Sequence, residues 1–127
     1  MGLNNTTKKF VWTDLTSENA AAALKFYTDV LGWEHEEHDM GDYVDYVIID
    51  PVTKESFTGI CYKKGVNSNI PNVWLNYVNV ENIDQTIELC IKSNGKIIDG
   101  PRKMGEGKFA IMQDPTGAYL GIYQEQE

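Results

Sequence analysis

Short apolar and polar alternations, interrupted by two stretches of helical periodicity, lay out the chain. Residues 9–15 carry Phe10, Val11, Trp12 and Leu15 and predict a strand. Thr16-Ser17-Glu18-Asn19 then supplies N-cap candidates before an alanine-rich run over 20–31 that predicts a helix. Leu24, Tyr27 and Leu31 recur at helical spacing, with Ala20 and Ala23 behind them, so this stripe should face a core. Gly32 stands where a helix-ending glycine is expected. Three strands follow, over 33–39, 43–50 and 56–62, with turns at Gly41-Asp42 and Pro51-Val52-Thr53. After a Gly-, Asn- and Ser-rich connection over 63–72, the order repeats. A strand is expected over 73–80, and a helix over 82–93 capped at Gly95. The next strand, 96–103, is broken by Gly100-Pro101, and strands over 108–114 and 118–124 form a hairpin around Pro115-Thr116-Gly117.

The repetition extends to individual residues. Val11-Trp12-x-Asp14 recurs as Val73-Trp74-x-Asn76, and Phe57-x-Gly59-Ile60 as Tyr119-x-Gly121-Ile122, both 62 residues on. Asn19, Leu24, Phe26 and Gly32 match Asn82, Ile87, Leu89 and Gly95 one residue out of step, and Asp50-Pro51 answers Asp114-Pro115. The expected fold is α+β: two tandem β-α-β-β-β modules forming a curved eight-stranded mixed sheet around a cleft, helices outside. Residues 1–127 read as one domain, with module one over about 8–63, a linker over about 64–72 and module two over about 73–125. A site built from both modules would fall at matched positions. Strand alternation puts Phe10, Trp12 and Asp14 on one face and Val11, Thr13 and Leu15 on the other. If Trp12 faces the cleft, the expected ligand-binding residues are Trp12, Asp14, Phe57, Gly59, Cys61, Trp74, Asn76, Tyr119, Gly121 and Tyr123. Trp12 and Trp74 are equally readable as core residues.

Composition narrows the function classes. A net charge of −8 argues against nucleic acid, whose phosphates demand an excess of Lys and Arg. No apolar run approaches the roughly 20 residues that cross a bilayer, so no membrane partner is expected and a cytoplasmic setting is. Cys61 and Cys90 have neither zinc-knuckle nor redox-pair spacing and should be reduced thiols. Two terminal patterns, Met1-Gly2 with Thr6 and the sequons at Asn4 and Asn5, are short enough to arise by chance.

The paired modules, Phe26-Tyr27 followed by Val30-Leu31-Gly32-Trp33, and the late Asp114-Pro115-Thr116-Gly117 resemble the vicinal oxygen chelate superfamily of glyoxalases, bleomycin resistance proteins and extradiol dioxygenases. The resemblance runs from about Phe10 to Tyr123. It implies a cleft, dimerisation and, in the enzymes, a divalent metal held by His or Gln on a module's first strand and Glu on its last. Those positions fall here on Trp12, on Trp74 or Leu75, and on Gly59 and Gly121, none of which offers a usual ligand. No metal and no cofactor are therefore expected. His35 and His38 lie three apart on a strand and should diverge, although a lone His35 near Trp33 and Glu37 remains an acid–base candidate.

The expected cleft surface is aromatic and polar, with glycines opposite tryptophans. It suits a flat or cationic organic ligand, with Asp14 and Asn76 as polar contacts. Asp14 is the most informative of the set, since a buried carboxylate needs a partner. The first reading is a metal-free small-molecule binding protein acting as a homodimer, with no catalytic residue assigned. The alternative is a metal-dependent lyase, isomerase or dioxygenase using Asp14, His35 or Glu37. A third is an interaction module whose cleft is only a dimer seam. Cys61 would be a nucleophile only beside a base, and reads otherwise as a small filler. Gly105-Glu106-Gly107 with Met104 reads as a mobile loop over one end of the cleft.

Overall fold

The computed structural model describes residues 7–126. Met1, Gly2, Asn4, Asn5 and Thr6 of the terminal patterns lie outside the described residues. The elements run β1 (Phe10–Ser17), α1 (Ala20–Leu31), β2 (Glu34–Asp39), β3 (Val44–Ile49), β4 (Ser56–Tyr62), β5 (Trp74–Asn79), α2 (Ile83–Lys92), β6 (Lys96–Met104), β7 (Gly107–Gln113) and β8 (Tyr119–Gln124). Among the described residues, eight strands of mixed sheet and two helices make the α+β fold, in the repeated order that the sequence predicts. The connection expected as plain loop contains one short 3-10 turn, Gly65–Asn67. Among the described residues no helix is long and apolar enough to cross a membrane.

The chain divides into two compact units, one over Thr13–Trp74 and the other formed by the residues through Trp12 with those from Leu75 onward. In the Thr13–Trp74 unit the strand order is β2-β3-β4-β1, with β1 and β4 parallel and the other neighbours antiparallel. The second unit repeats it as β6-β7-β8-β5, with β5 and β8 parallel. A parallel pair cannot be closed by a hairpin, and the chain between the paired strands includes α1 in one unit and α2 in the other.

Both helices begin as their sequences dictate. The Asn19 side chain accepts the Ala22 N–H at 3.1 Å and Asn82 accepts that of Gln85 at 3.0 Å, each satisfying a donor that the first turn leaves unpaired. Gly32 ends α1 in the left-handed region, φ 73°. At the end of α2 the left-handed residue is Asn94, φ 72°, rather than the expected Gly95. Gly95 is needed for space instead, because a Cβ there would come within 2.7 Å of the Cys90 sulfur.

The first core gathers Leu15, Ala20, Leu24, Ile48 and Ile60, with Tyr27, Trp33 and Trp74 packed against it. Leu31, expected in the same stripe, is half exposed at the end of α1. Thr58 is buried among these strands without an unmet donor, since its hydroxyl bonds the Thr13 carbonyl. The second core gathers Ile83, Ala110 and Ile122, flanked by Val78, Val80, Ile87 and Met112.

The β7–β8 turn is held by one carboxylate. Asp114 accepts hydrogen bonds from the Thr116 hydroxyl at 2.6 Å, the Thr116 N–H at 2.7 Å and the Ala118 N–H at 3.2 Å. The Thr116 hydroxyl, then the backbone N–H groups, hold its carboxyl below the ordinary range. A carboxyl depressed in the folded state contributes stability that is complete above its unfolded value, about 4. That contribution disappears as pH falls through the lower folded value. Asp114→Asn should therefore flatten the loss of stability below about pH 4, read from chemical denaturation across an acid pH series.

Candidate functional site

In the second unit, the sheet face turned away from α2 is aromatic. Tyr77 pairs with Gly121 and Asn79 with Tyr123 across β5 and β8, and Phe109 on β7 pairs with Tyr123. The alternate residues Val78, Ala110 and Ile122 belong to the α2 core, so Tyr77, Phe109 and Tyr123 share the opposite face. Tyr77 and Phe109 meet edge to face at 6.3 Å. The Arg102 guanidinium sits 4.5 Å over the Phe109 ring and is paired with Asp99 at 2.8 Å.

A cavity of about 170 Å³ opens beside this face, lined by Val11, Trp12, Tyr77, Met104 and Tyr123. The Tyr123 hydroxyl donates to the Met104 carbonyl at 3.4 Å, joining β8 to the end of β6. Gly105-Glu106-Gly107, expected as a loop, closes the β6–β7 hairpin, with Met104 and Gly107 paired. Gly107 permits that approach, because a Cβ there would stand 2.6 Å from both the Glu125 carbonyl and the Tyr123 hydroxyl. A larger hollow of about 510 Å³, lined by Thr7, Asn79, Glu81, Gln124, Glu125 and Gln126 among others, lies by the chain ends and away from the matched positions. The aromatic cavity, which Trp12 and Tyr123 line, is the candidate site.

Sheet register refines the correspondence between the units. In one, Tyr46, Ile60 and Leu15 form a row across β3, β4 and β1; in the other, Ala110, Ile122 and Val78 form it across β7, β8 and β5. Leu15 thus answers Val78, one residue beyond the 62-residue offset. Trp12 consequently matches Leu75, and Trp74 matches Val11. By strand alternation Trp74 and Asn76 share the Val78 side of β5. Trp74 packs against the first core, where its indole N–H donates to the Tyr27 hydroxyl at 2.9 Å. Trp33 stacks on Tyr27 at 5.4 Å and meets the expected site residue Phe57 edge to face at 5.2 Å. Of the residues singled out by sequence, Trp12 and Tyr123 therefore line the aromatic cavity, with Gly121 under Tyr77, whereas Phe57 and Trp74 belong to a separate aromatic cluster. Tyr119 and Asn76 are part-buried and line neither.

The matching face of the Thr13–Trp74 unit is acidic. Flanking the equivalent row, Asp14, Asp45 and Cys61 stand where Tyr77, Phe109 and Tyr123 stand in the other unit. Asp45 is 8% exposed and accepts the Tyr62 N–H at 2.9 Å. Burial pushes the Cys61 thiol far up, and the charges of Asp45 and Asp14 push it further. A thiol held protonated by its surroundings is a poor nucleophile, which favours the filler reading of Cys61.

Asp45, Tyr77 and Val11 were missed by sequence reasoning, whereas Met104 was expected beside the loop at one end of the cleft. Asp45 had a signal, as the lone carboxylate inside the apolar run Val44–Ile49. Tyr77 had none, because its place depends on register, and Val11 was assigned by alternation to the other face although it lines the cavity.

The residues present do not fit the metal that the fold's enzymes use. Among the described residues no group of three or more His, Cys, Asp and Glu is placed to hold a metal ion. The non-standard set also fails to converge. His35 meets Tyr46 edge to face at 5.7 Å, and Tyr46 packs with Leu15 against the first core, so Asp14 points to the other side of the sheet. Glu37, two residues from His35, shares its side. His35 and His38 diverge on the exposed β2, as the strand period predicts.

The family model for the Glyoxalase/Bleomycin resistance protein/Dioxygenase superfamily matches residues 9–122. The chain belongs to that superfamily. Among its relatives is "Putative glyoxylase CFP32" of Mycobacterium bovis, 25% identical over 115 residues, which cover 89% of this chain and 44% of that protein. The anthracycline biosynthesis protein DnrV of Streptomyces peucetius is 24% identical over 126 residues, covering 90% of this chain and 46% of DnrV. The chain thus spans about half the length of the curated relatives it matches. A superfamily member from Vibrio splendidus 12B01 has the same fold, with a TM-score of 0.58, 15% identity and coverage of 93% of this chain and 99% of that one. Methylmalonyl-CoA epimerase of Streptomyces coelicolor, solved with 2-nitronate-propionyl-CoA, gives a TM-score of 0.55 at 9% identity, covering 96% and 99% of the two chains. Superfamily membership identifies the scaffold, and the chemistry of the site must be read from its own residues.

Two measurements check this account. A Cβ on Gly121 would run into the Tyr77 ring, whereas one on Gly59 would meet only the Tyr46 carbonyl at 3.5 Å and the Cys61 sulfur at 3.8 Å. Gly121→Ala should cost about 1–3 kcal/mol in urea denaturation, and Gly59→Ala should change stability by less than about 0.5 kcal/mol. For Cys61, each pKa unit of elevation removes about ten-fold of the thiolate. At pH 8 native Cys61 should react with iodoacetamide more than about ten-fold slower than in urea-unfolded protein, as followed by peptide mass spectrometry.

Proposed function

We propose that the chain is a metal-free binding protein for a small organic ligand, aromatic or cationic, held in the cavity of Val11, Trp12, Tyr77, Met104 and Tyr123. The observation that carries this reading is the wall itself: among the described residues, three aromatic side chains and a thioether line about 170 Å³ with apolar surface and bring no carboxylate, imidazole or thiol to it. Trp12 is 42% exposed, so part of its surface lies within reach of an incoming ligand. Loss of usual ligand types at Trp12, Gly59 and Gly121, with Asp14 and His35 on opposite sides of their sheet, favours binding over a metal-dependent lyase, isomerase or dioxygenase.

The protein is proposed to act as a homodimer in the cytosol. Exposed Phe26, Val30 and Leu31 on α1, and Leu89 and Ile91 on α2, supply apolar surface for self-association. Unpaired Cys61 and Cys90 suit a reducing compartment.

Calorimetric titration with a panel of small aromatic and cationic compounds, and separately with nickel, zinc, iron and manganese, tests the reading. Saturable binding of organic compounds is expected, weakened at least about ten-fold by Trp12→Ala, which corresponds to ~1.4 kcal/mol. Stoichiometric metal in protein purified without chelators, disappearing in Asp14→Ala, would overturn it in favour of the enzyme.

A further inference from the structure

Resting on that binding reading, we infer that the cavity is an aromatic cage for a fully alkylated ammonium head group. Size is the first argument. At about 170 Å³ the hollow is smaller than the roughly 300–1,000 Å³ that holds a drug-sized molecule, so it suits a compact head rather than a fused ring system. The wall is the second. Trp12, Tyr77 and Tyr123 arrive from three different strands, β1, β5 and β8, and all three line this one small volume. Ring quadrupoles attract a cation at their faces, Trp most strongly, and Met104 adds a polarizable thioether.

The missing polar groups decide which cation fits. An ammonium that keeps its N–H bonds must find acceptors or leave donors unmet on burial. Among the described lining residues there is no carboxylate or carboxamide, the surface they expose to the cavity is apolar, and the Tyr123 hydroxyl is turned to the Met104 carbonyl. A quaternary head has no N–H to satisfy. The same aromatic face already accepts one delocalised cation, Arg102 over Phe109. That charge is cancelled locally by Asp99, so it does not repel a second cation. The net charge of −8 favours cation approach at long range.

The test compares choline, its uncharged carbon isostere 3,3-dimethylbutan-1-ol, and ethanolamine, by calorimetry at constant ionic strength. Choline should bind about 3- to 30-fold more tightly than the isostere, the range that a cation over aromatic rings supplies, and also more tightly than ethanolamine. Trp12→Phe should keep most of that preference and Trp12→Leu should abolish it, while far-ultraviolet circular dichroism stays unchanged. Equal binding of choline and the isostere would overturn the cage but leave the small-molecule reading standing. So would a choline preference that survives in Trp12→Leu, since long-range charge would then explain it. Binding of planar aromatic compounds alone sinks the cage in the same way, and no binding of any organic compound sinks both.

Discussion

In each unit, a parallel pairing between first and last strand determines which side chains become neighbours, because a parallel ladder leaves the turn no power to set register. Register must come from side chains that bury themselves: Leu15 and Ile60 under α1, Val78 and Ile122 under α2. Once those pairs lock, every other residue of the strands is assigned to a face. The two units lock one residue apart, and the aromatic cavity on one and the acidic face on the other follow from that placement.

Much of this was legible in the chain. Turn residues, N-caps and alternation located all eight strands and both helices within a residue or two, because each is a local signal with a local cause. The two-residue period grouped Trp12 with Asp14 and Tyr123 with Gly121, but it left open which face Trp12 occupies. The relation between Trp12 and Trp74 was not legible either. Identical residues at a fixed offset invite alignment, but the ladder pairs backbones, and a single extra residue between the first strands sends equivalent-looking side chains to opposite faces. Asp45 was hidden for a different reason. Alternation marks a polar residue in an apolar strand as outward, whereas this carboxylate is buried against the Tyr62 N–H. The exposed Leu31 shows helical spacing continuing past the end of the surface it was expected to cover.

The duplication has been kept as architecture and released as chemistry. One unit presents Asp14, Asp45 and Cys61, the other Tyr77, Phe109 and Tyr123, at corresponding stations of the same ladder. A scaffold that holds two equivalent platforms can assign them different tasks, since backbone geometry rather than side-chain identity preserves each sheet. This is the physical reason that superfamily membership narrows the fold so tightly and the activity so loosely.

Gly121 carries a consequence for descent. The superfamily resemblance puts a metal-binding glutamate of its enzymes at this position, and here the Tyr77 ring lies over the space that any side chain would need. A lone Gly121→Glu substitution meets that ring first. Accommodating it requires Tyr77 to shrink beforehand, and that step alone opens a hole in a buried aromatic face with no compensating gain. The two positions are thus epistatically coupled, and one ring keeps a longer side chain at Gly121 out of reach of single steps.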